Sequence, residues 1–64
     1  MNWLINGFYQ YKGGPLTPFV ITSQVPPDEW LAESLEMDGN YKYAITYTTA
    51  IGKDLASKFD ELTT

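Results

Sequence analysis

The sequence predicts an α+β fold, a small two-layer sandwich whose elements follow one another in the order β-β-α-β-α. Three observations support this class: period-2 alternation in residues 2–11 and 41–49, a strong turn signal at residues 12–15, and two later segments with helical spacing of apolar residues. With 64 residues, the chain suffices for a single small α+β domain, 1–64.

The first two strands are predicted to form a hairpin. Residues 2–11 are apolar on both alternating sides, as expected of a central strand, and Gly7 in their middle predicts a bulge or a close backbone approach. Residues 12–15 read KGGP; glycine supplies positive φ and proline fixes its own φ, so the chain turns there. Residues 18–23, PFVITS, are rich in β-branched side chains and form the returning strand.

Two helices are predicted. The first begins near Pro26 and Pro27, because proline is tolerated in the first helical turn, where its missing N–H would be unpaired anyway. It ends at Gly39, which can take the left-handed cap conformation. The second helix runs from about Gly52 to Leu62, with a start near Thr49 as the alternative. The inward stripe of the first helix is expected to be Trp30, Leu31, Ser34, Leu35 and Met37.

Residues 41–49, YKYAITYTT, form the third strand, in which aromatic and β-branched residues recur at every second position. A right-handed crossover through the first helix places this strand beside the first one, so we predict a three-stranded antiparallel or mixed sheet in the order 2-1-3. Both helices are expected on one face of that sheet, and the third strand is expected to be an edge. The stripe predicted along one face of this strand is Tyr41, Tyr43, Ile45 and Tyr47.

The composition excludes several chemistries. The chain has no histidine and no cysteine, so Ser-His and Cys-His nucleophile pairs, disulfides and the usual zinc sites are ruled out. It also lacks the glycine-rich motifs that bind phosphate groups. We therefore expect no catalytic residue, no cofactor and no metal, and we do not expect an enzyme.

The charge balance restricts the partners. Four lysines, no arginine and eight carboxylates give a formal net charge of −4 at pH 7. Since binding to a phosphate backbone depends on cationic groups, nucleic acid is not expected as a direct partner. The sequence has no apolar run of about 20 residues and no basic start of a signal peptide, which predicts no membrane association and a cytoplasmic location.

Two surfaces are candidates for binding another protein. The first helix region carries five carboxylates and no lysine, whereas ordinary solvent faces mix both signs. The third strand carries tyrosines, which are enriched at interfaces because one ring offers both contact area and a hydroxyl. Since isoleucine is among the residues most often buried, we expect Ile45 and at least part of the tyrosine stripe to lie in the core, with tyrosine hydroxyls reaching the sheet margin. The predicted protein-binding residues are Asp28, Glu29, Glu33, Glu36, Asp38, Tyr41, Tyr43 and Tyr47.

The leading hypothesis is a non-enzymatic, small acidic protein-binding module that masks a basic patch of another protein. In size and architecture it is similar to the short inhibitors that bacteriophages and mobile elements make against host enzymes, which indicates an inhibitor or adaptor. One alternative is a homo-oligomeric structural or assembly subunit, with a homodimer formed through the edge strand 41–49. A second alternative is a small-ligand or nucleotide-binding protein that uses the sheet tyrosines.

Overall fold

The computed structural model describes residues 1–63, with only the backbone of Thr63. The predicted element order β-β-α-β-α is confirmed. The elements are β1 (Asn2–Tyr11), β2 (Thr17–Ser23), α1 (Pro27–Met37), β3 (Tyr41–Ile51) and α2 (Lys53–Thr63). The alternative start of the second helix near Thr49 is wrong, because that residue still belongs to β3 and α2 begins only after Gly52.

The strands form one antiparallel sheet in the order β2-β1-β3, as predicted. Both outer strands run antiparallel to β1 and are therefore parallel to each other. A parallel pair needs a crossover connection, and α1 supplies it between β2 and β3. This arrangement places β1 at the centre and leaves β3 as an edge strand of 11 residues.

The turn after β1 forms at the predicted glycine pair, Gly13 and Gly14. Lys12 and Gly13 have φ values of 50° and 73°, and the Gly14 N–H donates to the Tyr11 carbonyl at 2.9 Å. Positive φ at both central residues is the pattern of a type I′ turn, and residues 15–16 then lead into β2. The Lys12 N–H donates to the Asn40 carbonyl at 3.0 Å, which ties this turn to the loop before β3.

A bulge interrupts the pairing of β1 with β3 at Gly7. Asn6 lies opposite Tyr47 and Gly7 lies opposite Ile45, so Thr46 is the extra residue on β3. The two backbones are close here: a Cβ on Gly7 would lie 3.0 Å from the Cα of Ile45, and nearer still to the carbonyl oxygen of Ala44. Both consequences predicted for this glycine, a bulge and a close approach, are therefore present.

The bulge changes which side chains of β3 share a face. Residues opposite each other in an antiparallel ladder point to the same side, so Tyr43, opposite Tyr9, lies on the face of that ring. Tyr47 lies opposite Asn6, whose side chain points the other way. The predicted single stripe is therefore wrong at Tyr47. We call the side of Tyr9, Phe19, Tyr41, Tyr43 and Ile45 the aromatic face, and the other side the opposite face.

The two helices contact different faces of the sheet. The Trp30 ring of α1 lies 5.7 Å from the Phe19 ring on the aromatic face. The Thr22 hydroxyl donates to Oδ1 of Asp60 in α2 at 2.7 Å. Because Phe19 and Thr22 are three positions apart in one strand, their side chains leave opposite sides of the sheet. The structure thus differs from the expectation that both helices lie on one face.

The reason for this difference lies in β1, which is apolar on both sides. Ile5, on the aromatic face, is fully buried at 0% exposure, and Leu4, on the opposite face, is only 9% exposed. A central strand of this kind needs cover on both faces, and α2 supplies Ala56, 6% exposed, to the packed interior. With so few buried side chains, the domain is expected to have modest stability.

The end of α1 also departs from the prediction. Asp38 occupies the C-cap in an extended conformation with φ −151°, and its N–H donates to the Ser34 carbonyl at 3.1 Å. Gly39 does not take a positive φ, so the expected left-handed glycine cap is wrong. Of the predicted inward stripe, Trp30, Leu31 and Ser34 are half-buried. Leu35 and Met37 are exposed instead.

Candidate functional site

The outward side of α1 is an acidic face. Its four carboxylates, Asp28, Glu29, Glu33 and Glu36, are all exposed. At 3.6 residues per turn they spread over about 140° on the side of the helix opposite the mean direction of the half-buried Trp30, Leu31 and Ser34. Since α1 contains no lysine or arginine, no basic side chain of the same helix interrupts this face. The four residues thus present a compact negative surface to solvent, which we call the acidic face.

Asp38, the fifth predicted carboxylate, does not belong to the acidic face. It is half-buried, and its Oδ1 accepts hydrogen bonds from the backbone N–H and the side-chain amide of Asn40, both at 2.9 Å. Such a local arrangement is typical of aspartate in turns. Its carboxylate therefore shapes the turn between α1 and β3 rather than facing a partner.

Two of the three predicted tyrosines lie under α1 in an aromatic cluster. The Trp30 ring meets Tyr43 edge-on at 5.2 Å and stacks on Phe19 at 5.7 Å. Tyr43 in turn stacks on Tyr41, with centroids 5.7 Å apart and ring planes 14° from parallel. Such pairs contribute about 0.5–1.5 kcal/mol each beyond the area that they bury. The cluster therefore holds α1 in a fixed orientation on the sheet, with the acidic face outward.

The aromatic cluster raises the pKa of the Tyr43 phenol. Burial is the main cause that raises its pKa above 10.0, and the neighbouring Tyr41 and Asp38 raise the pKa further. A side-chain hydrogen bond with Ser34 of α1 acts in the opposite direction. A phenol is neutral at neutral pH even without this shift, so the raised pKa affects the protein only in alkaline solution.

Tyr47, the third predicted tyrosine, is separated from the other two. It is 58% exposed on the opposite face, where Phe8 and Val20 are also exposed, at 37% and 40%. This apolar patch was not predicted, because strict alternation along β3 places Tyr47 on the same face as Tyr43. Gly7 is the sequence feature that could have predicted the patch, because the bulge at that glycine places the Tyr47 side chain on the opposite face.

The sheet tyrosines do not line the larger described cleft, of about 620 Å³, which lies between α2 and the ends of β1 and β2. Its wall includes Asn2, Thr22, Lys53 and Ser57, and it is open to solvent. Tyr41 and Tyr43 instead contact other rings. The ligand-binding alternative is therefore not favoured by the placement of these tyrosines.

The comparisons identify no relative: no family model, curated protein or solved structure matches the chain. Neither described helix has both the length and the apolar character needed to cross a membrane.

Proposed function

We propose that the protein is a non-enzymatic binding module that docks its acidic face on a basic surface of another protein. The observation that carries this proposal is the geometry of α1: four exposed carboxylates share one side of a helix that has no basic residue. The helix is anchored from below by Trp30 on Phe19 and Tyr43. The helix that carries the carboxylates is thus held in place before a partner binds, and only their side chains need ordering.

The electrostatics of the helix support a role in binding. Glu29 and Glu33 are spaced i, i+4, and like charges at that spacing destabilise a helix by about 0.2–0.5 kcal/mol. A cationic partner would convert this repulsion into attraction on binding. It would also be steered toward the acidic face during encounter, with an association rate that falls as salt screens the field.

Apolar side chains flank the acidic face and add contact area. Met37 is 89% exposed and Leu35 is 40% exposed. At 100° per residue the two lie on opposite flanks of the carboxylates. A partner with a basic centre and apolar margins would therefore bury both kinds of surface. In this proposal the module acts as a cytoplasmic inhibitor or adaptor that masks the basic surface.

The test compares two charge reversals in pull-downs from the native host's lysate. Glu33→Lys changes an acidic-face residue near the middle of α1, and Asp54→Lys is the matched control, an exposed position in the first turn of α2. Both variants change the net charge equally. We expect Glu33→Lys to weaken capture of the main partner by about tenfold, or about 1.4 kcal/mol, and Asp54→Lys to retain it.

A triple variant sharpens the result. Glu29→Lys, Glu33→Lys and Glu36→Lys together should abolish capture while the far-UV circular dichroism spectrum stays unchanged. Capture by the wild type should also fall as salt is added, because the contact is electrostatic. If the Glu33 and Asp54 variants lose capture equally, net charge and not the acidic face is responsible, and the proposal fails.

A further inference from the structure

We infer that the second half of β3, Tyr47–Ile51, is a pairing edge for the same segment of a second copy of this chain. We call this stretch the edge segment. The inferred product is a closed dimer in which two antiparallel edge segments join the sheets into one of six strands. This inference does not depend on the acidic face or on the proposed function.

The two halves of β3 are protected differently. An edge strand presents unpaired backbone groups, and proteins guard such edges with charges, especially lysine, and with bulges. The first half of β3 has both devices: it contains Lys42, and it ends at the bulge at Thr46. The Thr46 hydroxyl donates a hydrogen bond to the Asn6 carbonyl of β1 at 3.3 Å. The edge segment has neither device, since it is regularly paired to β1 and uncharged.

The edge segment is complementary to itself. With Thr49 opposite Thr49 of the second copy, Tyr47 faces Ile51 and Thr48 faces Ala50. Tyr47, Thr49 and Ile51 all lie on the opposite face, so the pairing creates two aromatic–aliphatic contacts around one threonine pair. Cross-strand pairs of these kinds each add about 0.2–1 kcal/mol. The exposed Tyr47 ring would thereby gain an apolar neighbour.

Charge favours a second copy as the occupant. The exposed charges of α1 are all carboxylates, so a contact between two copies through that helix brings like charges together. The edge segment contains no charged residue, and in the stated register the two Lys42 side chains are far apart. A strongly basic partner would find no carboxylate on this segment, and nucleic acid would find no cation. The uncharged edge is thus suited to association between two chains of net charge −4.

The size of the contact predicts weak association. Five paired residues span roughly 17 Å, which is the length of an ordinary strand but a small interface by the standards of stable dimers. We therefore expect a dimer that forms with rising concentration and dissociates on dilution.

The test is light scattering coupled to size exclusion, from low to high micromolar concentration. The wild-type mass should rise from 7.3 kDa and level off at twice that value. Thr48 is exposed, and in the stated register it lies diagonally across from its own copy at about 7–8 Å. Thr48→Lys and Thr48→Glu should therefore each raise the dimer dissociation constant about three- to tenfold.

Mixing the two Thr48 variants should restore dimerisation, because opposite charges then meet across the pair. Ser57→Lys and Ser57→Glu, at an exposed position on α2, are the matched controls and should dimerise like the wild type. The inference is overturned if the wild type stays at 7.3 kDa, if its mass grows beyond the dimer, or if the mixture remains monomeric although both variants have the wild-type circular dichroism spectrum.

Discussion

Replacing Gly7 by alanine should destabilise the protein more than any other glycine-to-alanine change. The new Cβ would lie 3.0 Å from the Cα of Ile45 and 3.2 Å from the carbonyl carbon of Ala44, with the Ala44 oxygen closer still. These are backbone atoms of the neighbouring strand, so no side-chain rotation relieves the overlap. The sheet must shift at its bulge.

The expected cost of Gly7→Ala follows from this geometry. Overpacking a core typically destabilises a protein by about 1–3 kcal/mol. Because Gly7→Ala displaces backbone atoms, we expect a cost in the upper part of that range, about 2–3 kcal/mol. A domain of this size has a total unfolding free energy of about 3–10 kcal/mol, so the loss is a large share. It corresponds to a fall in Tm of about 10–20 °C.

Two other glycines serve as controls for that variant. Gly13 has φ 73° in the turn, so Gly13→Ala should cost about 1–2 kcal/mol through backbone strain alone. A Cβ on Gly52 meets nothing within 4 Å, and Gly52→Ala should be neutral or stabilise by about 0.4–1 kcal/mol. Urea unfolding followed by tryptophan fluorescence measures all three. A Gly7→Ala midpoint within error of the wild type would refute the close approach at the bulge.

Three further predictions concern the packing of the helices. Trp30→Ala should lower the unfolding free energy by about 3 kcal/mol, measured by thermal denaturation, because Trp30 joins α1 to Phe19 and Tyr43. Thr22→Val should cost about 1 kcal/mol in the same assay, since it removes the hydroxyl that donates to Asp60. The raised pKa of Tyr43 stabilises the folded state below the unfolded pKa, and this contribution is lost as pH rises through the folded pKa. Tyr43→Phe should therefore flatten the fall in urea midpoint as the pH rises above about 10.

Much of the fold was predictable because local signals agreed with one another. The alternation of residues 2–11, the glycine turn and the prolines before α1 each marked an element at its observed place. The strand order followed from the handedness of the crossover, which needs no side-chain detail. The acidic face was also predictable, since helical periodicity alone places Glu29, Glu33 and Glu36 on one side.

The features that were missed depend on contacts between distant residues. Thr46 is an ordinary strand residue, so its own identity does not reveal that it is the extra residue of a bulge, and Tyr47 was placed on the wrong face. Gly39 follows the C-cap residue Asp38 without taking the left-handed conformation, and the Asp38 carboxylate bonds to Asn40 in this turn. The apolar residues of α2, Leu55, Ala56, Phe59 and Leu62, recur at helical spacing, which predicts packing on the sheet but does not tell on which face.

The most direct test of the central proposal is amide chemical-shift mapping of the ¹⁵N-labelled protein as a lysine- and arginine-rich peptide is added. We predict shift changes concentrated at Asp28, Glu29, Glu33 and Glu36, which vanish when salt is raised. Glu33→Lys should shift the titration to about tenfold higher peptide concentration, and Asp54→Lys should not. Changes centred on β3 or α2 instead, or changes that persist at high salt, would contradict the assignment of α1 as the docking surface.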